Sequence, residues 1–216
     1  MRQKQRRAAV EIGALWLVVA LAGLAAGAPA DEAMAPVTVL CLGDSLTEGY
    51  GLAADQAYPA VLEQRLHAEG HSRVRVINAG ISGSTSASAV RRLEWQLRAN
   101  PDVLVLELGA NDGLRGVPVD ETRKNLAAAI ALAQAKGTQV LLAGMHMPPN
   151  YGPEYTRDFA RVFAELGEES GVTLIPFFLE GVAGVTRLNL PDGIHPNAEG
   201  YRIVVDKLLP HLLPLL

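Results

Sequence analysis

The sequence has a single cysteine and no large excess of charge of either sign, and each shortage excludes a class of protein. Cys41 has no second cysteine to pair with, so the chain cannot form an intramolecular disulfide. We expect Cys41 to lie buried in a strand, where free cysteines pack readily. The formal net charge is -4, with acidic and basic residues interspersed, which gives no positive surface for phosphate backbones. We therefore predict no nucleic-acid partner.

The length of the chain limits the number of domains. At 216 residues, of which 49% are hydrophobic, the chain can bury a substantial core but has no room for a second full domain. No internal repeat is apparent. One domain is therefore expected.

The first thirty residues differ in kind from the rest. The segment 2–7 contains four basic residues and precedes an apolar stretch that ends in Ala28-Pro29-Ala30. A basic start, an apolar centre and an Ala-x-Ala end are typical of a cleaved signal peptide. The alternative is an uncleaved membrane anchor, since the apolar run approaches the ~20 residues that span a bilayer. We interpret 1–30 as a signal peptide and 31–216 as a domain that is exported to the periplasm or secreted.

Beyond residue 36, short runs rich in Val, Leu and Ile alternate with longer helical patterns. This order is typical of a parallel sheet with helices on both faces. Five strands are predicted, at 37–42, 74–78, 103–108, 139–145 and 173–176. Helices are predicted at 59–68, 86–99, 121–136, 154–170 and 196–209, with Pro59 and Pro196 in first turns. The segment 80–88 is interpreted as a tight strand-to-helix turn with a polar cap.

The carboxyl ends of parallel strands share one edge of the sheet, where ligands bind. The first loop at that edge contains Gly43-Asp44-Ser45-Leu46. Ser45 is a candidate nucleophile, although Asp44 or Ser45 could equally cap a following helix. The loop is not a Gly-x-Ser-x-Gly nucleophile elbow, because residue 47 is Thr, and it lacks the Gly-Lys-Ser/Thr end of a phosphate loop.

A serine hydroxyl needs a neighbouring base to become a nucleophile, and His195 is the sharpest candidate among the five histidines. It follows Asp192 by three residues in a loop that Gly193 allows to turn. Such a loop could hold the Asp192 carboxylate against the imidazole. The alternative is an Asp-Gly turn with His195 incidental. No second His or Cys stands at ligand spacing nearby, which argues against a metal site.

The loop after the third predicted strand, 109–113, contributes Asn111. Acyl transfer needs hydrogen-bond donors where the carbonyl oxygen becomes negative. The Asn111 amide could supply one donor, and the backbone N–H groups of Gly83 and Ser45 could supply others. The alternative is an Asn-Asp-Gly turn with no ligand.

In this order, the four segments resemble the GDSL or SGNH hydrolase family, which is named for its Ser, Gly, Asn and His blocks. They stand at 43–46, at Gly83 within 81–86, at 109–113 and at 192–197, and the resemblance extends from about Val37 to the C-terminus. It implies a three-layer α/β/α, flavodoxin-like sandwich with a five-stranded parallel sheet. It also implies a Ser45-Asp192-His195 triad, an oxyanion hole formed by Ser45, Gly83 and Asn111, a structural role for Asp44, and no metal or other cofactor.

Within this family the chain is similar to thioesterases that also act as lysophospholipases and arylesterases, on the stretches 111–116, 149–152 and 174–178. This similarity implies hydrolysis of acyl thioesters, lysophospholipids and simple esters. The segment Met145-His146-Met147-Pro148 departs from that group. We expect it to reshape the wall of the acyl pocket.

Two other functions stay open at this point. The same catalytic residues could serve a carbohydrate O-deacetylase, and a non-catalytic flavodoxin-like module could use the Ser/Thr-rich turns to bind phosphate or sugar. We favour a hydrolase of small-molecule acyl esters or thioesters, since a binding module has no need of Asp192 and His195 together. We expect a monomer that can make transient contact with a lipid or membrane surface.

N-terminal sequencing of protein made in its own cell tests the predicted leader. Cleavage after Ala30 should give a chain that begins near Asp31, because the small residues 28 and 30 are the ones that signal peptidase accepts. A retained Met1 would show that the apolar stretch is not removed.

Overall fold

The computed structural model describes residues 36–216, which fold around one five-stranded parallel sheet. The strands are β1 (Val37–Gly43), β2 (Val74–Gly80), β3 (Val103–Glu107), β4 (Gln139–Ala143) and β5 (Thr173–Ile175), in the spatial order β2-β1-β3-β4-β5. The five predicted parallel strands are therefore confirmed, with carboxyl ends that differ by one or two residues from those expected.

Seven α-helices lie in the described part of the chain. On one face of the sheet, α2 (Tyr58–Ala68) packs against α7 (Ala198–Leu212); on the other, α3 (Ala89–Gln96), α5 (Val119–Gln134) and α6 (Pro153–Ser170) pack side by side. Two short helices, α1 (Ser45–Glu48) and α4 (Ala110–Leu114), follow β1 and β3 closely. This arrangement confirms the predicted three-layer α/β/α sandwich.

The central strands are buried by both helix layers, which explains their unbroken apolar sequence. Every residue of β3 is buried, and so are the last five residues of β1, among them Cys41. The prediction that this cysteine packs in a strand is confirmed. The one charged residue of β3, Glu107, is buried with the rest.

The start of α7 differs from the sequence prediction because a side chain caps this helix. Pro59 lies in the first turn of α2 as predicted, but Pro196 does not lie in α7. Asn197 is the N-cap of α7, and its side chain accepts a hydrogen bond from Gly200 N at 3.0 Å. Pro196 instead pairs with Asn189 in an antiparallel bridge. A capping Asn side chain satisfies a free N–H group of the first turn, so the helix begins after Asn197 and leaves Pro196 outside.

The turn predicted over 80–88 is capped from elsewhere in the chain. A 3-10 turn at Ser86–Ser88 precedes α3, and neither element has a side-chain cap from its own N-cap residue. The carboxylate of Asp112, in α4, accepts hydrogen bonds from Ser86 N at 2.8 Å and from Ser86 Oγ. The polar cap that the sequence predicted is therefore supplied by an acid 26 residues away.

Within residues 36–216, no helix combines the length and the apolar character needed to cross a membrane. The predicted signal peptide, 1–30, lies outside the described residues, so its cleavage stays a prediction.

Gly80, at the end of β2, allows α1 to approach the sheet. A Cβ at this position would lie 2.0 Å from Glu48 N, a backbone atom that cannot rotate away. We expect Gly80→Ala to lower the free energy of unfolding by about 3 kcal/mol, the upper part of the range for overpacking. Gly167→Ala in α6 is the matched control, because its Cβ would meet only the Leu174 side chain, at 3.1 Å or more. Urea unfolding measures both, and equal losses would contradict the prediction.

Candidate active site

The site lies at the carboxyl edge of the sheet, where the chain changes direction. From β1 the chain goes to β2 on one side and then returns to β3 on the other. The loops that follow β1 and β3 therefore separate and leave a crevice between them, which is where open α/β sheets bind ligands. Ser45 follows β1, and Asn111 follows β3.

The turn at Ser45 divides two roles between neighbouring residues. Asp44 is the N-cap of α1, and its Oδ1 accepts a hydrogen bond from Leu46 N at 3.0 Å. Ser45 is the first helical residue and is half-buried. Because Asp44 satisfies the free N–H group of the helix, the Ser45 hydroxyl is not needed as a cap and faces the crevice.

His195 and Asp192 meet Ser45 in a continuous chain of hydrogen bonds. His195 Nε2 lies 2.9 Å from Ser45 Oγ, and His195 Nδ1 lies 2.8 Å from Asp192 Oδ2. A carboxylate only accepts, so Nδ1 carries the ring proton and Nε2 is left to accept the proton of the serine hydroxyl. The structure thus brings together all three residues that the sequence singled out, although 150 positions separate Ser45 from His195.

The loop that carries Asp192 and His195 is closed on itself. Leu190 N donates to His195 O at 2.7 Å, and Gly193, with φ of +76°, makes the turn that its sequence position predicted. Desolvation works to raise the pKa of Asp192, but hydrogen bonds from Ile194 N and from the side chain and N–H of His195 outweigh it and hold that pKa below the ordinary value. Asp192 therefore stays ionised beside the imidazole.

Tyr50 is a site residue that the sequence patterns did not reveal. Its ring lies 4.7 Å from the His195 ring, centroid to centroid, and tilted by 37°. Tyr50 is half-exposed and lines the same cavity as Ser45. It packs against the imidazole, which limits the positions that the ring can take. Only its place shortly after the Ser45 turn hinted at this proximity.

Two backbone N–H groups of residues that line this cavity are available to a ligand. Within residues 36–216, neither Ser45 N nor Gly83 N donates a hydrogen bond. Gly83 has φ of +74° and lies in an exposed loop. Its carbonyl accepts from Arg115 at 3.0 Å, and Ser82 N donates to Glu48 at 2.7 Å, so that both sides of Gly83 are held.

Asn111 also lines the cavity, but its amide group is already engaged. Nδ2 donates to Asp44 Oδ2 at 2.9 Å and to Ser84 O at 3.0 Å. These bonds fix the amide plane beside the Ser45 turn. An oxyanion that bound to Asn111 would have to take the place of one of them.

The cavity above these groups has a volume of about 640 Å³ and is mainly apolar. Ser45, Gly83, Asn111 and His195 lie on its wall. The rest is formed largely by apolar side chains: Leu46, Leu114, Met145, Met147, Phe177 and Leu179. The segment 145–148 forms part of this wall, and its His146 ring stacks on Phe177 at 4.4 Å with 6° between the planes. That it reshapes the acyl pocket stays a prediction.

Comparison with known proteins identifies the same family as the sequence motifs. A model of the GDSL-like Lipase/Acylhydrolase family matches residues 41–203. The chain belongs to this family. Esterase TesA of Pseudomonas aeruginosa is 43% identical over 180 residues, which cover 83% of this chain and 89% of that esterase. Thioesterase 1/protease 1/lysophospholipase L1 of Escherichia coli is 37% identical over 185 residues, which cover 85% of this chain and 87% of that enzyme.

A solved structure of an esterase gives the same fold. The psychrotrophic esterase EstA from Pseudoalteromonas sp., inhibited by monoethylphosphonate, matches with a TM-score of 0.77 and 37% identity, over 82% of this chain and 97% of that one. These relatives identify the GDSL hydrolase described here as an ester-hydrolysing enzyme of the SGNH type. The alternative of a non-catalytic binding module is therefore set aside.

Proposed function

We propose that this GDSL hydrolase cleaves acyl esters and acyl thioesters through a covalent acyl-enzyme at Ser45. The observation that supports it best is the hydrogen-bonded chain from Asp192 through His195 to Ser45 Oγ, with distances of 2.8 and 2.9 Å, at the wall of an apolar cavity. A serine, a base within hydrogen-bond reach and a carboxylate that orients the base are the parts that nucleophilic catalysis requires.

In the first half of the reaction, His195 Nε2 takes the proton from Ser45 Oγ as the oxygen attacks the acyl carbonyl carbon. The imidazolium then gives this proton to the departing alkoxide or thiolate, and the acyl group stays on Ser45. In the second half, His195 takes a proton from water as the water oxygen attacks the acyl carbon. The bond between this carbon and Ser45 Oγ then breaks, the imidazolium returns the proton to Ser45 Oγ, and the carboxylic acid is released. The ionised Asp192 stabilises the imidazolium in both halves.

Three donors would stabilise the tetrahedral intermediates. The Ser45 and Gly83 N–H groups have no acceptor within the described residues, so they can bind the oxyanion at no loss of existing hydrogen bonds. Asn111 would exchange one of its two present bonds for the oxyanion. Donors that the fold already holds in place are worth most, because little reorganisation is needed during the reaction.

The cavity favours substrates with an apolar acyl or aryl group. Its volume of about 640 Å³ is in the range of pockets that enclose small organic ligands, and burial of each methylene contributes about 0.8 kcal/mol. An acetylated sugar would leave most of this wall without an apolar partner, so we place a carbohydrate O-deacetylase behind an acyl esterase or thioesterase.

We propose further that the enzyme acts outside the cytoplasm as a monomer and meets lipid surfaces only transiently. The basic segment 2–7 and the Ala-x-Ala sequence support export. Tyr50, Leu114 and Ile194 support the lipid contact, because these exposed apolar side chains lie around the cavity. An acyl chain could leave a lipid aggregate over these residues without crossing much water.

Removal of the serine or the base tests the catalytic assignment. We expect Ser45→Ala and His195→Ala each to lower kcat for a p-nitrophenyl ester by at least about ten-thousand-fold, as in other triads whose members act as a unit. Ser45→Ala should also fail to react with a serine-directed fluorophosphonate. His71→Ala, at an exposed position beyond the end of α2, is the matched control and should keep the full rate. Near wild-type rates in either test variant would exclude the assignment.

Leu179→Asn tests the acyl specificity, since it puts a polar group of similar size on the cavity wall. We expect kcat/KM for p-nitrophenyl octanoate to fall about tenfold, which corresponds to about 1.4 kcal/mol of lost apolar contact. The acetate ester is too short to use this wall and should change by less than about twofold. Trp95→Asn, at an exposed site on α3 away from the cavity, is the control.

A panel of acyl thioesters, lysophospholipids and acetylated xylan would rank the natural substrate classes, and a clear preference for acetylated xylan would favour the deacetylase.

A further inference from the structure

A buried acid lies directly beneath the Ser45 turn and has no part in the mechanism above. Glu107 is the last residue of β3 and pairs in register with Gly43, the last residue of β1. Its side chain has no exposed surface. It is the only charged residue in the run 103–108, so it interrupts a strand that is otherwise apolar.

The Glu107 carboxyl group holds the residues on both sides of Ser45. Its Oε2 accepts a hydrogen bond from Thr47 Oγ1 at 2.7 Å and a longer one from Asp44 N at 3.3 Å. Gly43 leaves room for this contact: a Cβ there would lie 1.8 Å from Thr47 Oγ1 and 2.4 Å from Glu107 Oε2. The glycine of the Gly43-Asp44-Ser45-Leu46 motif therefore makes space for Glu107 beneath the turn.

No cation within the described residues forms an ion pair with Glu107. Arg92, from α3, lies nearby, but its Nη2 donates to the carbonyls of Gly43 and Ala79. Glu107 Oε1 accepts no hydrogen bond in this part of the chain. A buried carboxylate without a cation or a full set of donors costs several kcal/mol, and such a group takes up a proton instead.

The titratable groups around Glu107 also favour its uncharged form. Asp44 precedes α1, Cys41 is on β1, Tyr58 begins α2, Tyr201 lies on α7 and Arg92 lies on α3. Burial, and next the charge of Asp44, raise the pKa of Glu107 well above its ordinary value. Burial also raises the pKa of Asp44, to about 6, while the hydrogen bonds from Leu46 N and from Asn111 and the charge of His195 limit that rise. Asp44 thus carries the negative charge of the pair at neutral pH.

We propose that Glu107 is a positioning residue: an uncharged carboxylic acid that fixes the Ser45 turn through Thr47 and the backbone of Asp44. The proposal rests on the proposed role of Ser45 as the nucleophile. Two ionised carboxylates in this closed space would repel each other and displace Asp44. Because Asp44 also binds Leu46 N and Asn111 Nδ2, such a displacement would move the nucleophile and the oxyanion donor together.

The test compares Glu107→Gln with Glu107→Ala. Gln is uncharged and can accept from Thr47 and Asp44 N as Glu107 does, so we expect kcat within about threefold of wild type and an unshifted acid limb of the pH–rate profile. Ala removes the support beneath the turn and should lower kcat about a hundredfold, the effect of a misplacement of about 1 Å. KM should change by less than about twofold, because the cavity wall is untouched. Labelling of Ser45 by a fluorophosphonate should slow by the same factor as kcat.

Two further variants keep the test decisive. Thr47→Val removes the hydroxyl that binds Glu107 at nearly constant volume, and we expect it to lower kcat about tenfold with little change in KM, even if Glu107→Ala does not fold. Glu94→Gln, at an exposed position on α3, is the control and should behave as wild type.

Thermal unfolding gives an independent readout of the charge state of Glu107. The folded protein keeps the Glu107 proton while the unfolded chain loses it above the ordinary pKa of Glu, so the Tm advantage of Glu107→Gln over wild type should grow as the pH rises.

Three results would overturn the proposal. Glu107→Gln could lose as much activity as Glu107→Ala and shift the acid limb, which would mean that a charge is required. Alternatively, Glu107→Ala could lower Tm with kcat unchanged, which would mean that the residue only stabilises the sheet. A wild-type kcat in Thr47→Val would remove the link through which Glu107 acts. Ser45→Ala, measured in parallel, distinguishes failure of the Glu107 proposal from failure of the proposed function. If Ser45→Ala stays active, the proposed function itself fails.

Discussion

The Asp44 carboxylate ties the nucleophile loop to the rest of the site. One oxygen accepts from Leu46 N and starts the helix that carries Ser45; the other accepts from the Asn111 amide, which comes from the loop after β3. A buried carboxylate that lost either donor would keep a large desolvation cost with less compensation. Both loops are therefore fixed relative to each other by one group, and Glu107 supports the same turn from below through Thr47 and the backbone N–H of Asp44.

This connection is possible because of the order of the strands. β1 and β3 are neighbours in the sheet, although β2 comes between them in the chain. Their carboxyl ends lie side by side, and the loops that leave them face each other across the crevice. The Asp192–His195 loop closes the site from a third direction, and Tyr201 of α7 anchors that helix to the nucleophile helix by donating to Leu46 O at 2.8 Å. The polar groups are in this way supported by three separate parts of the chain.

A polar reaction centre on the wall of an apolar cavity is suited to acyl transfer from hydrophobic groups. The hydrogen-bonded residues need to be ordered, whereas the acyl chain needs only an apolar surface, so the two requirements fall on different parts of the chain. Ser45 and Asn111 lie on short motifs directly after strands, and the Asp192–His195 motif lies in the loop before α7. Much of the cavity wall comes from the loops 145–149 and 177–184, which carry none of the hydrogen-bonded residues of the reaction centre. The membership in the GDSL-like Lipase/Acylhydrolase family accordingly identifies ester hydrolysis and leaves the acyl group to these loops.

The sequence by itself determined the class of fold, the five strands and the residues worth testing, because apolar periodicity and short motifs such as Asp192-Gly193-Ile194-His195 are local properties. It left Ser45 equally explicable as a helix cap, it suggested a first-turn role for Pro196, and it predicted a polar cap before α3 without identifying the residue that supplies it. Only the tertiary structure decided these points: Asp44 caps α1, Asn197 caps α7, and Asp112 caps the turn at Ser86. Tyr50 against His195 and Glu107 beneath Ser45 belong to the same class, since both contacts join distant segments. Such contacts depend on how strands pair and helices pack, which no window of neighbouring residues contains.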